Sequence, residues 1–255
     1  MIRDSTQGAP RPSNAKPSST HDSRLTTHAF AAAALLLLST ASAAAAGEAE
    51  WKLLHGEAAA HLQRGDLEQA ELFGRKALNE AETLPAANHR AAEQSLATLY
   101  GVLRLRGKLD EALPLVQRLT AVRMKQYGPD DPATALALHG NAEIFLVQRK
   151  FSEAEMLQTQ ALAVFEKKLG AKHFQTATAL HNMGAIRLAQ NNYQEAENYL
   201  RRALAAKEQA LKPGHLSIAH TLDSLSIALE GQGRQIEAQK YRRRAEGIRR
   251  KAAAS

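Results

Sequence analysis

Imidazoles in register are the first place to look for a metal ion or a general base. This chain has three, His55, His139 and His181, separated by 84 and 42 residues. If each stands on its own helix, axes packed about 8–10 Å apart keep one imidazole per helix from converging on a single ion. His55 and His61 flank Glu57, but six residues between imidazoles put them on different sides of a helix. Glu153-Ala154-Glu155 and Glu195-Ala196-Glu197 look like paired carboxylates for acid–base work. They recur at a fixed interval, however, which points to helix-start charge and turn packing. The chain has no cysteine, hence no thiol nucleophile, disulfide or thiolate metal site. It also has no glycine-rich phosphate loop and no nucleophile elbow. These residues predict no catalytic site, no metal and no cofactor.

The interval itself is the stronger signal. His89, Asp131, His173 and His215 follow one another every 42 residues, and periods of 20–50 residues indicate stacked repeats. In that register five units begin at Gly47, His89, Asp131, His173 and His215. The eighth position is always Leu (Leu54, Leu96, Leu138, Leu180, Leu222), a buried anchor on a first helix. The twenty-fourth is always Ala (Ala70, Ala112, Ala154, Ala196, Ala238), as close helix approach requires. The nineteenth is Gly65, Gly107, Arg149, Asn191 or Gly233, and Gly and Asn suit the left-handed turn that ends a helix. The thirty-first is Ala77, Leu119, Ala161, Ala203 or Ala245. Each unit reads as helix, tight turn, helix, with apolar residues three and four apart on both sides. Gly128 and Gly170 mark helix ends, and Asp131-Pro132 marks a capped helix start. The predicted fold is all-α, with abundant Ala and Leu and only 5% aromatic residues.

These markers resemble the tetratricopeptide repeat family, and the 42-residue unit running LGAKHFQTATALHNMGAIRLAQNNYQEAENYLRRALAAKE resembles its kinesin-light-chain-type members. The likeness covers residues 47 to about 250. It implies a right-handed superhelical solenoid of about five antiparallel hairpins, whose inner surface, lined by first helices, holds a protein or peptide. The second Asn that such repeats carry at the tenth position is present here only as Asn182; the other units have Gly56, Thr98, Gly140 and Ser224. The heptad region of the motor adaptor is missing upstream, so transport by a motor is not implied.

On a first helix the ninth, thirteenth and sixteenth positions share one face, because offsets of four and seven return to the same side. By the resemblance that face is the groove. Its candidate contacts are His55, His139, His181 and Asp223 from the ninth position, with Arg104, Leu146 and Leu188 from the sixteenth. Asn182 joins them from the tenth. The polar members would hydrogen-bond an extended ligand, with Leu146 and Leu188 as apolar contacts; the competing reading is that all are merely solvated helix positions.

The ends of the chain differ from its body. Residues 1–28 are rich in Ser, Thr and Pro without apolar periodicity and are expected to be disordered. Ala29 to Leu38 then form an apolar run behind Arg24, followed by Ala41-Ser42-Ala43 and Ala44-Ala45-Ala46, the pattern of a cleaved secretory signal. Cleavage before Gly47 would release a periplasmic or secreted protein; an uncleaved segment would anchor it to a membrane instead. Domains of 1–46, 47–250 and a tail at 251–255 follow. The net charge of +7 is concentrated at residues 240–251, which contribute +6, while residues 47–239 contribute −1. A balanced body argues against nucleic acid as a partner. Arg242, Arg243, Arg244, Arg249, Arg250 and Lys251 are either the polar cap of the last hairpin or a contact for an anionic partner.

Overall fold

The computed structural model describes residues 44–85 and 89–254. Residues from Glu50 onward form one compact unit; of the unit before it only residues 44–49 are described, and they are helical. The apolar run and the Ala41–Ala43 motif lie outside the described residues. Every regular element among the described residues is helical: α1 (residues 44–64), α2 (Leu67–Thr83), α3 (His89–Leu105), α4 (Leu109–Tyr127), α5 (Pro132–Val147), α6 (Phe151–Lys168), α7 (Phe174–Ala189), α8 (Tyr193–Ala210), α9 (Leu216–Gly231) and α10 (Gln235–Ala253).

Five hairpins result, and the turn within each is the one its sequence dictates. Gly65, Gly107 and Gly233 sit at φ of 73–77°, and Arg149 and Asn191 adopt 59° and 60° at the equivalent place. That conformation costs an L-residue about 1–2 kcal/mol, so the two side-chain-bearing turns are held by the packing of the helices they join. Three of the four 42-residue markers, Asp131, His173 and His215, are helix caps. The Asp131 carboxylate accepts from Ala133 N at 2.7 Å, and Nδ1 of His173 and His215 accepts from Gln175 N at 3.2 Å and Ser217 N at 3.1 Å. Thr134 and Thr176 then hook back to the carbonyls of Gly128 and Gly170, both at 2.8 Å, tying each first helix to the end of the preceding hairpin.

The constant Ala at the twenty-fourth position is fully buried in all five hairpins. The core runs on from hairpin to hairpin: Phe165 and Leu162 of α6 pack with Leu180 and Met183 of α7, and Leu200 and Leu204 of α8 pack with Leu222 and Leu225 of α9. One hairpin could not bury such a face alone, which is why stacking and folding are the same event.

A Glu at the twenty-fifth position reinforces three of the four junctions. Glu71 of α2 accepts from Arg106 at 2.5 Å and Lys108 at 2.9 Å in the next hairpin, and from Arg75 in its own helix. Glu155 accepts from Arg187 at 2.7 Å and Gln190 at 2.9 Å. Glu197 does the same with Arg234 at 2.7 Å and Gln232 at 2.9 Å. The recurring Glu-Ala-Glu pairs therefore do more than charge a helix start: their second member bridges hairpins. Burial works to raise the Glu71 carboxyl, but Lys108, Arg75 and Arg106 outweigh it and hold it at about 2. A second ladder joins successive second helices through Glu82–Arg118, Glu166–Arg202 and Glu208–Arg244.

Candidate protein-binding groove

Four of the eight candidate contacts converge, and the group they converge on is Glu143 of α5. His139, one turn earlier, turns Nε2 toward Glu143 Oε1 at 3.5 Å. Asn182 of α7 donates from Nδ2 to the same oxygen at 3.4 Å, and Arg104 of α3 lies 3.9 Å from Oε2. Leu146 stands one turn further along α5, on the wall of the same cleft. Burial works to raise the Glu143 carboxyl, but the donors, His139 first, outweigh it and hold it below the usual carboxylate range. Glu143 is therefore an anion at neutral pH. It also acts on Tyr100, whose hydroxyl is pushed up to about 12 by burial and then by the neighbouring carboxylate.

Arg104 and Glu143 form the shared rim of two clefts. One, of about 420 Å³, lies between α3, α5 and the start of α7, with Leu136 and Phe174 as its exposed apolar wall and Gly140 beneath the Tyr100 ring. The other, of about 370 Å³, runs toward the hairpin turns past Leu109, Leu146, Val147 and Asn182. Gly140 makes the first possible: a Cβ there would stand 2.5 Å from the Tyr100 hydroxyl. The result is a surface with an apolar recess on either side of a charged centre.

The other candidates are occupied elsewhere. His55 stacks on Trp51 at the first hairpin, ring centres 5.4 Å apart, and burial lowers its imidazole pKa. Leu188 packs against the core of the last two hairpins. Asp223 is paired with Arg249 of α10. The His181 ring is half-buried, with Nδ1 at 3.2 Å from Thr221 Oγ1; desolvation, and then the charge of Lys207, pushes it down to about 3, so it is neutral. His139 has a scaffold duty besides. The Gln158 amide donates to the Ala179 carbonyl at 3.1 Å, and its oxygen lies 3.0 Å from His139 Nδ1, linking α5, α6 and α7.

Residue-by-residue reading missed Glu143, Tyr100, Leu136, Phe174 and Val147. A signal for Glu143 was present: among the thirteenth positions, Ala59, Gly101, Glu143, Ala185 and Ile227, it is the one charged residue on the face already singled out. Of the basic candidates, Arg242 pairs with Glu230 at 2.6 Å, Arg244 with Glu208 and Arg249 with Asp223. Arg243, Arg250 and Lys251 are exposed. Among the described residues no cluster of three or more His, Cys, Asp or Glu could hold a metal, and no helix is long and apolar enough to cross a membrane.

The tetratricopeptide repeat model matches residues 95–167, 133–209 and 175–251, which together span more than half of the sequence. The chain belongs to the tetratricopeptide repeat family. Among solved structures, this repeat protein is similar to BtubC (BKLC) from P. vanneervenii at 22% identity, over 78% of this chain and 79% of that one, with a TM-score of 0.65. It is similar to a Podosopora anserina putative kinesin light chain with nearly identical TPR-like repeats at 23% identity, over 81% and 97% of the two chains, with a TM-score of 0.63. MamA follows at 17% identity, over 80% and 94%, with a TM-score of 0.53. At these identities the likeness establishes the fold, the all-α superhelical repeat expected from the 42-residue period. No curated protein matches the chain.

Proposed function

We propose that this tetratricopeptide repeat protein is a non-catalytic scaffold that holds an extended segment of another protein in the groove between α3, α5 and α7. Repeats of this family generally mediate protein–protein interaction, which supports the class of function. The observation that carries the site is the shared Arg104–Glu143 rim between two apolar recesses. An ionised carboxylate and a guanidinium 3.9 Å apart remain free to take up hydrogen bonds from a peptide, while Leu136, Phe174 and Val147, each at least 41% exposed, offer apolar contact on both sides. The apolar run at Ala29–Leu38 followed by small residues further supports export to a periplasmic or secreted location.

The groove is tested by crosslinking. A photoreactive group placed at half-buried Gln175 of the full chain, on the cleft wall beside Phe174, should capture a partner segment from an envelope extract. Leu136→Ser with Arg104→Glu should weaken that capture about tenfold or more; both side chains are exposed, and a melting curve checks that the fold survives the carboxylate placed beside Glu143. Equal capture by both forms would refute the groove. Export is tested by the N-terminal sequence of the mature protein in its native cell: a start near Ala44 or Gly47 supports cleavage, and an intact N-terminus in the membrane fraction supports the anchored form.

A further inference from the structure

The repeat provides an internal control for α10. At the twenty-fifth and twenty-ninth positions, α2 and α8 carry Glu71 with Arg75 and Glu197 with Arg201, each pair bonded one turn apart within the helix. In α10 the same positions hold Gln239 and Arg243, so the cation is retained and its carboxylate is gone. At the thirty-sixth position Glu82, Glu166 and Glu208 each pair with an Arg of the following hairpin; α10 holds Arg250 there. Two positions that are acidic in α2, α6 and α8 have therefore lost their acid in α10, and one has become a base; α4, with Leu113 and Met124 there, carries neither acid nor base.

The consequence is spatial. Arg242, Arg244 and Arg249 are tied to Glu230, Glu208 and Asp223 and hold the last hairpin in place. The four cations of α10 for which the described residues show no ion pair are Lys240, Arg243, Arg250 and Lys251. At 3.6 residues per turn they fall on a single stripe about 100° wide and about 17 Å long. Glu246 borders the stripe and leaves it with a net charge of +3. Beside it lies a crevice of about 690 Å³ between the α8–α9 connection and the second half of α10, walled by Pro213, Ile218 and Ile248, with Lys251 at its edge. The apolar side of α10, with Ala238, Ala245, Tyr241 and Ile248, is turned into the core. Ile236 is the one large apolar side chain that α10 exposes, so the helix has no continuous apolar face to sink into a bilayer, and its stripe carries no aromatic ring on which a base could stack.

We propose that this stripe and its crevice are a second docking surface, separate from the groove, for an acidic protein segment that seats an apolar side chain in the crevice beside the partly buried Ile248. Its carboxylates would take the place of those that α2, α6 and α8 carry at the same positions.

The test uses the full chain and a fluorescein-labelled helical peptide of about 18 residues, rich in Glu and carrying one Leu, read by fluorescence anisotropy at about 50 and about 200 mM salt. Expected is binding that weakens with salt, falls about tenfold or more in R243E/R250E, and is unchanged in the groove variant Arg104→Glu. A Leu→Ser change in the peptide should weaken it further if the crevice is used. Unaltered binding to R243E/R250E with a wild-type melting curve would overturn the proposal. So would tighter binding to phosphatidylglycerol vesicles or to a single strand of about 20 nucleotides than to the peptide, which would assign the stripe to another class of partner. Loss of peptide binding in Arg104→Glu as well would place the peptide in the groove and refute a separate surface.

Discussion

Lys207 is the least expected residue in the solenoid and gives the sharpest test of its energetics. It is 2% exposed on α8, facing α9, and among the described residues its ammonium has no carboxylate partner. It donates to Thr221 Oγ1 at 2.9 Å and to the Ser217 carbonyl at 3.3 Å, and that is all the compensation the structure gives it. Burial pushes it from 10.5 down to about 8. The native state therefore binds this proton less well than the unfolded chain does. Folding is penalised in full below pH about 8, and the penalty fades as pH rises toward 10.5. A shift of that size corresponds to about 3 kcal/mol at pH 7 and about 1 kcal/mol at pH 10. Lys207→Met keeps the length of the side chain and removes the charge. The acceptors it leaves are not orphaned, because Thr221 Oγ1 still meets His181 Nδ1 and itself bonds the Ser217 carbonyl at 3.1 Å. After about 1–2 kcal/mol for the lost hydrogen bonds, the variant should be more stable than the wild type by about 1–2 kcal/mol at pH 7. Urea unfolding at pH 7 and pH 10 measures both numbers, and the advantage should shrink by about 2 kcal/mol between them. A variant less stable at pH 7, or a difference that does not change with pH, would show that the ammonium is better compensated than its two contacts suggest.

Two further outcomes follow from packing and backbone. Gly184→Ala places a Cβ 2.6 Å from Cγ of the fully buried Leu200, so it should cost about 1–3 kcal/mol in urea unfolding, whereas alanine at Gly56, which has open space, should be close to neutral. Arg149→Gly relieves a left-handed turn at φ 59° and should stabilise by up to about 1 kcal/mol, read as a rise in melting temperature; a fall would mean that the side chain, not the backbone, fixes that turn.

The groove shows where repeat reasoning reaches and where it stops. Leu54 through Leu222, Ala70 through Ala238 and the turn at the nineteenth position are legible because the same constraint acts in every hairpin, so five copies report it. Glu143 has no counterpart at its register position, and averaging over units hides it. His139 and His181 share a register position yet differ in partners, since Gln158 meets one ring and Thr221 the other. What separates them is the neighbouring helix, not the helix they stand on. The basic stretch of α10 divides in the same way. Its composition is plain in the sequence, but which arginines are already neutralised depends on Glu208, Asp223 and Glu230, up to 36 residues away.

The sequence by itself determined the helices, their caps, the left-handed turns, the unit length and the order of stacking, because each rests on contacts within one hairpin or between adjacent ones and is repeated along the chain. Only the tertiary structure decided which side chains stand free. It brings Arg104, His139 and Asn182 onto one carboxylate from three separate helices, removes Asp223 and His181 from the wall, and leaves one stripe of α10 unpaired. Charge and hydrogen-bond partners are set by distances of 3–4 Å between helices, and a 42-residue period fixes the register of those helices but not the side chains that meet across them.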